Sequence, residues 1–195
     1  MSQRTYHHGD LRRAVLSAAL DVIRAEGPAG LSLRDLARRA GVSHAAPAHH
    51  FKDRAGLLTA IATEGYDLLA VALAEAPELR ERGVRYVRFA FAHPAHFQVM
   101  FQPELLRGDD PELLAAKARA GKELQAGVAG LAADERGPDA QLAGVAAWSL
   151  AHGFATLALT RNLPVDAPEE TFRALAGLIF QPPAAPRQPP AAPRN

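Results

Sequence analysis

The sequence predicts an all-α fold of about nine helices, divided into a small N-terminal domain and a larger helical body. Apolar residues recur at three- and four-residue steps along most of the chain, and this spacing gives a helix one apolar face. Alanine, which has the highest helix propensity, is frequent. No segment alternates convincingly between apolar and polar residues, as a half-buried strand would. We therefore predict helices packed on helices.

Capping and stop signals divide the first part of the chain into four predicted helices. Short polar residues that favour the N-cap position precede each apolar run: Asp10, Ser32, Ser43 and Asp53. Stop signals follow the first, second and fourth runs: Gly27-Pro28, Gly41 and Pro77. The third predicted helix is short, from His44 to about His50, whereas the fourth is long and continuously apolar.

Prolines mark the boundaries of the five remaining predicted helices. A fifth helix ends at His93-Pro94, a sixth covers 97–101, and a seventh runs from 110 or 111 to about 131. Pro138 stands in the first turn of an eighth helix that stops before Pro164, and Pro168 begins the ninth.

The last fifteen residues have a different composition. The unit Gln-Pro-Pro-Ala-Ala-Pro-Arg occurs at 181–187 and again at 188–194, which predicts a disordered or polyproline-like tail, either solvated or acting as a docking peptide. Three parts follow: a small N-terminal domain at 8–55, a larger helical body at 56–180, and the Pro-rich tail at 181–195.

Charge is distributed unevenly along the chain. Residues 1–54 carry nine Lys/Arg and five Asp/Glu, so they have a net charge of +4, although the whole chain is only +1. A basic end on a nearly neutral chain favours a local contact with a polyanion, although chance clustering of surface charge would look the same. The sequence has no cysteine, no apolar signal core at its N-terminus and no evident membrane span, so we expect a cytoplasmic protein without contact to a membrane.

The segment from Leu31 to Phe51 has the features of a helix-turn-helix. Ala37 is small enough for two helices to cross closely, Gly41 supplies a turn residue free of Cβ strain, and Val42 can fill the space between the helices. Such a turn holds the third helix away from the body, so that its first residues can enter the major groove of DNA.

The stretch that carries this motif also resembles a known family. Leu31-Ser-Leu-Arg-Asp-Leu-Ala-Arg-Arg-Ala-Gly-Val-Ser-His-Ala-Ala-Pro-Ala-His-His-Phe-Lys-Asp-Arg-Ala-Gly-Leu-Leu58 is similar to the DNA-binding domain of TetR-family transcriptional regulators, over about residues 8–60. The resemblance implies a dimer that binds a near-palindromic operator with its third helix, and that is released by a small hydrophobic effector bound in the body.

The resemblance assigns eight residues to DNA. Ser32 and Arg34 are expected to contact phosphate at the start of the second helix. The residues expected to face base edges are Ser43, His44, Ala45 and Ala46. His49 and Lys52 are expected to meet the DNA backbone, whereas Arg38 and Arg39 fit either DNA contacts or a solvated face.

Two positions depart from the family pattern. Ala48 stands where the family usually has a tyrosine that often touches phosphate, so phosphate anchoring is expected to be weaker or differently placed. Pro47 lacks an N–H group, and inside a helix it would remove an early hydrogen bond and leave the helix kinked or marginal until DNA binds. These departures keep open a second interpretation, a helical ligand-binding or scaffold protein with weakened DNA reading.

The body contains two stretches similar to a TetR subgroup with a Trp, His, Gly signature, at 93–101 and 148–157. The residues predicted to line an effector pocket are Val87, Phe91, Phe97, Met100, Phe101, Trp148 and His152. His152 fits equally a hydrogen-bonded core histidine. His93 and His96 lack a third ligand, so we expect no metal and no cofactor.

The eighth and ninth helices, about 139–180, are expected to form a homodimer interface, as the family pattern implies. Five residues are small enough to let a second chain approach closely: Ala143, Gly144, Ala147, Ala151 and Ala155. Apolar area is expected from Leu175, Leu178 and Ile179. An enzyme is disfavoured because the chain lacks cysteine, a Gly-rich phosphate loop and a paired acid–base set, and because Ser149 and His152 have no evident third partner.

Overall fold

The computed structural model describes residues 8–132 and 139–179, and its regular structure there is helical. The nine α-helices of this described part are α1 (His8–Glu26), α2 (Leu33–Arg39), α3 (Ala46–Phe51), α4 (Arg54–Ala74), α5 (Leu79–Ala92), α6 (Pro94–Met100), α7 (Pro111–Ala132), α8 (Asp139–Leu159) and α9 (Pro168–Ile179). The all-α prediction is confirmed. Two 3-10 turns, Pro28–Gly30 and Pro103–Leu105, were not predicted. The predicted Pro-rich tail, 181–195, lies outside the described residues.

Helices α1–α3, which we call the head, pack around a small apolar core together with the start of α4. Its fully or almost fully buried side chains are Val15, Ala19, Ile23, Leu36, Ala37, Phe51 and Leu57. Helix α1 begins at His8, so the prediction that Asp10 caps it is wrong. It ends as predicted at Gly27, whose φ of 76° lies in the left-handed region that favours glycine after a helix.

The turn between α2 and α3 follows the predicted helix-turn-helix closely. Gly41 has a φ of 65°, and the N–H of Val42 donates to the carbonyl of Ala37 at 3.0 Å. Val42 is partly buried against the core, while Ala37 is completely buried. The turn therefore depends on a glycine conformation and on one apolar side chain, as the sequence indicated.

Helix α3 begins later than predicted, at Ala46 rather than His44, with Ala45 in the N-cap position. The prediction that Ser43 caps this helix is therefore wrong, and Ser43 and His44 lie in the preceding turn. Pro47 falls in the first helical turn, where a missing N–H removes no intrahelical hydrogen bond. The predicted kink at Pro47 is thus also wrong, and its ring is buried.

Helix α4 joins the head to the body. Asp53 caps it as predicted, because its carboxylate accepts a hydrogen bond from the N–H of Gly56 at 2.8 Å. Farther along, Gly65 allows α6 to pack closely, since a Cβ there would lie 2.6 Å from the sulfur of Met100. Buried residues occur along almost the whole of α4, and through this helix the apolar core continues from the head into the body.

In the body, α5 packs against α8 and α9, while α7 lies along α4. Gly83 of α5 faces Phe172 of α9, and a Cβ at Gly83 would lie 2.6 Å from the phenyl ring. Phe172 in turn stacks at a tilt on Phe154 of α8, with ring centroids 5.4 Å apart. These contacts fix the outer pair, α8 and α9, on the body.

Two helical stretches, Arg54–Ala74 and Leu142–Leu159, are long and apolar enough to cross a membrane, each with a mean hydropathy of 1.5. The sequence analysis had not identified either stretch as a possible membrane span. Length and composition are weak evidence, because core helices pass the same test. In α4 the apolar residues serve the core, whereas only 22% of the α8 stretch is buried within the protomer.

Candidate DNA-binding surface and effector site

Most side chains predicted to contact DNA lie on the surface of the head. Seven of the eight are exposed, and Ala46 is partly buried. Ser32 occupies the N-cap position of α2 but makes no capping hydrogen bond, so its hydroxyl is free of that role. Ser43, His44 and Ala45 form the turn that enters α3, closed by a hydrogen bond from the N–H of Ala46 to the carbonyl of Ser43 at 3.0 Å.

Arg38 and Arg39, which the sequence left between two interpretations, are both held by Asp35. Asp35 accepts from Nη2 of Arg38 at 2.6 Å and from Nε of Arg39 at 2.5 Å. Hydrogen bonds from Arg38 first and Arg39 second lower the pKa of the Asp35 carboxyl, so it stays ionised. The pairing favours a solvated face on which Asp35 offsets one of the two positive charges.

Lys52, the residue directly after α3, has an uncommon backbone conformation. Its φ of 69° and ψ of −59° place a non-glycine residue at positive φ, directly between α3 and the cap of α4. Its side chain is exposed on the head. The chain reverses here within two residues, between the end of α3 and the start of α4. This turn sets the angle between the two helices.

The body contains a group of aromatic side chains around His152, which we call the His152 cluster. Its members come from α4, α5, α6, the residue directly after α6, and α8: Tyr66, Tyr86, Phe97, Phe101, Trp148 and His152. The imidazole ring lies 4.4 Å from the ring of Phe101 and 5.2 Å from that of Phe97, between centroids. Four of the seven residues predicted for the effector pocket are therefore brought together.

The other three predicted pocket residues have different surroundings. Val87 is completely buried in the apolar core, and Phe91 packs half-buried against that core. Met100 is also buried, with its sulfur against Gly65 and its carbonyl accepting a hydrogen bond from the Tyr66 hydroxyl at 3.0 Å. Met100 thus borders the cluster, while Val87 and Phe91 are part of the core that supports it.

Sequence reasoning missed the two tyrosines of this cluster. The hydroxyl of Tyr86 lies 2.9 Å from Nδ1 of His152, across 66 positions of sequence. Tyr66 contacts Phe101 edge to face, with ring centroids 6.1 Å apart. A signal existed for Tyr86, since it stands next to Val87 on a helix already assigned to the pocket, but its partner is not local.

Burial decides the protonation states in the cluster. It lowers the pKa of His152, so the imidazole is neutral at pH 7 and offers one donor and one acceptor. Burial also raises the pKa of Tyr86, an effect that a hydrogen bond from Trp148 partly opposes. The cluster therefore combines aromatic faces with a neutral Tyr–His pair, which suits an apolar or aromatic molecule bearing a hydrogen-bonding group.

Two histidines, His93 and His96, lie where α6 meets α4. His96 is buried, and its Nε2 lies 3.7 Å from a carboxylate oxygen of Glu64 without a hydrogen bond. Interaction with His96 is the main cause that lowers the pKa of Glu64. His93 packs edge to face on His96, with ring centroids 5.7 Å apart. Among the described side chains, at 11–127 and 142–179, no three His, Asp or Glu residues are placed to hold a metal ion.

The outer side of α8 and α9 carries large apolar side chains that the protomer leaves uncovered, which we call the outer face. They are Leu142, Val145, Trp148, Leu157, Leu178 and Ile179. The most exposed is Leu178, at 73%. Ala151 and Ala155 are buried within the protomer, so they cannot face a second chain as predicted. The other predicted residues stay partly or fully exposed: Ala143, Gly144, Ala147, Leu175, Leu178 and Ile179. The interface itself stays a prediction.

A basic helix-turn-helix head joined by a shared helix to an aromatic-lined helical body defines a class, the ligand-responsive DNA-binding regulators. Comparison with sequence families makes this specific. Residues 15–61 match "Bacterial regulatory proteins, tetR family", and residues 79–179 match "Tetracyclin repressor-like, C-terminal domain". The chain belongs to the TetR family of transcriptional regulators.

Solved structures agree with this assignment. A protein of unknown function from Rhodococcus sp. RHA1 is 35% identical, with a TM-score of 0.74, over 90% of this chain and 96% of that one. The TetR-family regulator PfmR from Thermus thermophilus is 25% identical, with a TM-score of 0.68, over 85% and 96%. No curated protein matches the chain.

Family membership settles the general function. TetR-family proteins are DNA-binding regulators without enzymatic activity, and they dimerise and respond to small molecules. The protein is accordingly a transcriptional regulator, as the sequence predicted, and not an enzyme.

Proposed function

We propose that the protein is a homodimeric repressor that binds a near-palindromic operator and is released by a small hydrophobic molecule. The observation that carries this proposal is the joining of three surfaces by α4 and α8: the exposed head, the His152 cluster and the outer face. We assign the DNA-binding domain to residues 8–55 and the ligand-binding and dimerisation domain to residues 56–180.

The eight head residues are the proposed contacts with DNA. Exposed Ser32 and Arg34 at the start of α2, with His49 and Lys52, suit the phosphate backbone. Ser43 and His44, with Ala45 and Ala46, stand at the entrance of α3, where family members read base edges. The net charge of +4 in residues 1–54 supplies the long-range attraction.

The His152 cluster, with Met100 at its border, is the proposed effector site. The neutral Tyr86–His152 pair supplies the polar contact, and the rings of Phe97, Phe101 and Trp148 supply the apolar walls. Two proteins of similar fold are the multidrug binding protein EbrR, which was crystallised with imidazole, and NalD of Pseudomonas aeruginosa, the secondary repressor of a multidrug efflux pump. At 22% identity these two share only the fold with this chain.

The outer face of α8 and α9 is the proposed dimer interface. Its exposed apolar side chains are large, and an interface between identical subunits is usually apolar at its centre. A matched pair of variants tests it: Val145→Arg on the outer face and Val71→Arg on α4, at two valines that are 53% and 63% exposed. We expect light scattering to detect monomers for Val145→Arg alone; two monomeric or two dimeric variants would contradict the assignment.

DNA binding is tested with duplexes selected from a random pool by the purified protein. Affinity measured against salt concentration should fall steeply, because phosphate contacts release counterions. Arg34→Ala should reduce the slope of log K against log salt by about one, whereas Lys122→Ala, an exposed body residue, should not. His44→Ala should weaken binding to the selected sequence by about 1–3 kcal/mol. Failure to select any sequence would favour the scaffold interpretation.

A further inference from the structure

A segment of the body makes direct contacts with the start of α4, at the joint with the head. This segment, 101–110, connects α6 to α7 and carries Arg107, which no sequence signal had singled out. Nη2 of Arg107 donates to Oδ2 of Asp53 at 2.8 Å, and its backbone N–H donates to the hydroxyl of Thr59 at 2.9 Å. Two turns of α4 are thus bound to one residue of the body.

Asp53 serves two partners at once. Its Oδ1 caps α4 by accepting from the N–H of Gly56, while its Oδ2 pairs with Arg107. These two interactions, in that order, lower the pKa of the Asp53 carboxyl. Glycine is required at position 56 mainly by the backbone carbonyl of Phe51, which a Cβ would overlap, and a Cβ there would also press on Nη1 of Arg107 at 3.1 Å.

The next residue is anchored on the other side of the joint. Nη2 of Arg54 donates to the carbonyl of Pro28 at 2.8 Å, which belongs to the 3-10 turn after α1 in the head. Two consecutive residues therefore tie α4 to the body and to the head. They directly follow Lys52, whose positive φ sets the reversal out of α3. The orientation of α3 relative to the body therefore depends on this short stretch together with the packing of α1 on α6.

We propose that Arg107 is a positioning residue that fixes the angle of the head on the body, and that it thereby sets the half-site spacing that the dimer accepts. The proposal rests on the proposed operator binding by a homodimer. Two recognition helices on one rigid dimer match one separation of half-sites, and each base pair added to the centre both lengthens and rotates that separation. A looser joint accepts neighbouring spacings with a smaller loss of affinity.

The first experiment compares Arg107→Gln with the full-length wild type on the selected operator and on duplexes with one base pair inserted or removed at its centre. The ion pair is partly exposed, with side chains 32% and 61% accessible, so its effect is limited. We expect the ratio of affinities for the best and the altered spacing to fall roughly two- to fivefold. An unchanged ratio overturns the proposal, because a purely structural role would lower all affinities equally.

Two further variants complete the design. Arg119→Gln removes a comparable exposed ion pair between α7 and α4, Arg119 with Asp67, away from the joint, and should leave the ratio unchanged. Asp53→Asn keeps an oxygen for the cap but removes the charge, and it should reproduce Arg107→Gln, with the double variant no worse than either single one. Additive effects of the two substitutions would contradict a shared interaction.

A second measurement needs no DNA. Amide hydrogen exchange of the free protein should be faster over residues 53–59 in Arg107→Gln, by up to about fivefold, and unchanged in Arg119→Gln. If the wild type selects no operator, the proposed function fails while this measurement still tests the joint. If exchange over 53–59 is unchanged in Arg107→Gln, the joint is not held by Arg107 and the proposal is refuted.

Discussion

Substituting Gly83 by alanine tests the packing of α5 on α9. Alanine in a helix interior normally stabilises relative to glycine by about 0.5–1 kcal/mol. At Gly83, however, the new Cβ would lie 2.6 Å from Cε1 and 3.0 Å from Cζ of Phe172. That ring is 2% exposed and rests on Phe154, so it has little room to retreat. Overpacking of this kind costs about 1–3 kcal/mol.

The chain offers a matched control in Gly121 of α7, where a Cβ would meet no atom within 4 Å. The gain in helix propensity is common to both substitutions, so the difference between them isolates the clash. We expect Gly121→Ala to raise the melting temperature. Gly83→Ala should melt about 2–12 °C below Gly121→Ala, because the clash costs about 1–3 kcal/mol and each kcal/mol lowers the melting temperature by about 2–4 °C.

Thermal unfolding followed by circular dichroism measures this difference, at one protein concentration because the stability of a dimer depends on concentration. Phe172→Leu removes the ring and with it the clash. The free energy of unfolding lost through Phe172→Leu should therefore be smaller in the Gly83→Ala background than in the wild-type background. If Gly83→Ala stabilises the protein as much as Gly121→Ala does, the α5–α9 contact is not the close fit described here.

Four further outcomes follow from the same reasoning. Because burial holds the pKa of His152 below 6.5, the unfolded chain binds more protons; urea unfolding should show stability falling as pH drops below about 6.5, and less steeply in His152→Gln. Tyr86→Phe leaves Nδ1 of His152 without its partner, and calorimetry should find a loss of about 1–3 kcal/mol. Leu36→Ala, at a completely buried position of the head, should cost about 2–5 kcal/mol in urea unfolding. Asp53→Ala should lower the free energy of unfolding by about 0.5–2 kcal/mol because it removes the cap of α4, whereas Asp53→Asn should keep most of the capping interaction.

The sequence predicted well what depends on neighbours along the chain. Asp53 could be recognised as a cap because its partner, Gly56, is three residues away, and Gly41 because a left-handed turn is a local requirement. Where two local signals compete, prediction failed. Ser43 is a good capping residue, but Pro47 is suited to the first turn of a helix, and α3 begins at Ala46, two residues after the position that a Ser43 cap would give.

The sequence predicted poorly what depends on distant partners. Phe97, Phe101, Trp148 and His152 could be suggested as a group from their residue types, but the partner of His152 is Tyr86, whose position follows only from the packing of α5 on α8. Arg107 likewise pairs with a residue 54 positions earlier. Neither pair leaves a periodic pattern in the sequence, because each depends on the angle between two helices and not on either helix alone.

The distribution of strong and weak contacts bears on how such a regulator can switch. The apolar core, which continues from the head through α4 into the body, is held by fully buried side chains, each costing several kcal/mol to remove, whereas the ion pair between Arg107 and Asp53 is partly exposed and worth about 1 kcal/mol or less. Effector coupling in proteins typically amounts to about 1–3 kcal/mol, which is enough to shift contacts of the second kind but not of the first. Phe101 of the His152 cluster begins the same connecting segment that carries Arg107, so a ligand that moves Phe101 acts on this ion pair while the core stays folded. We therefore expect the proposed effector to change the angle of the head without unfolding any helix.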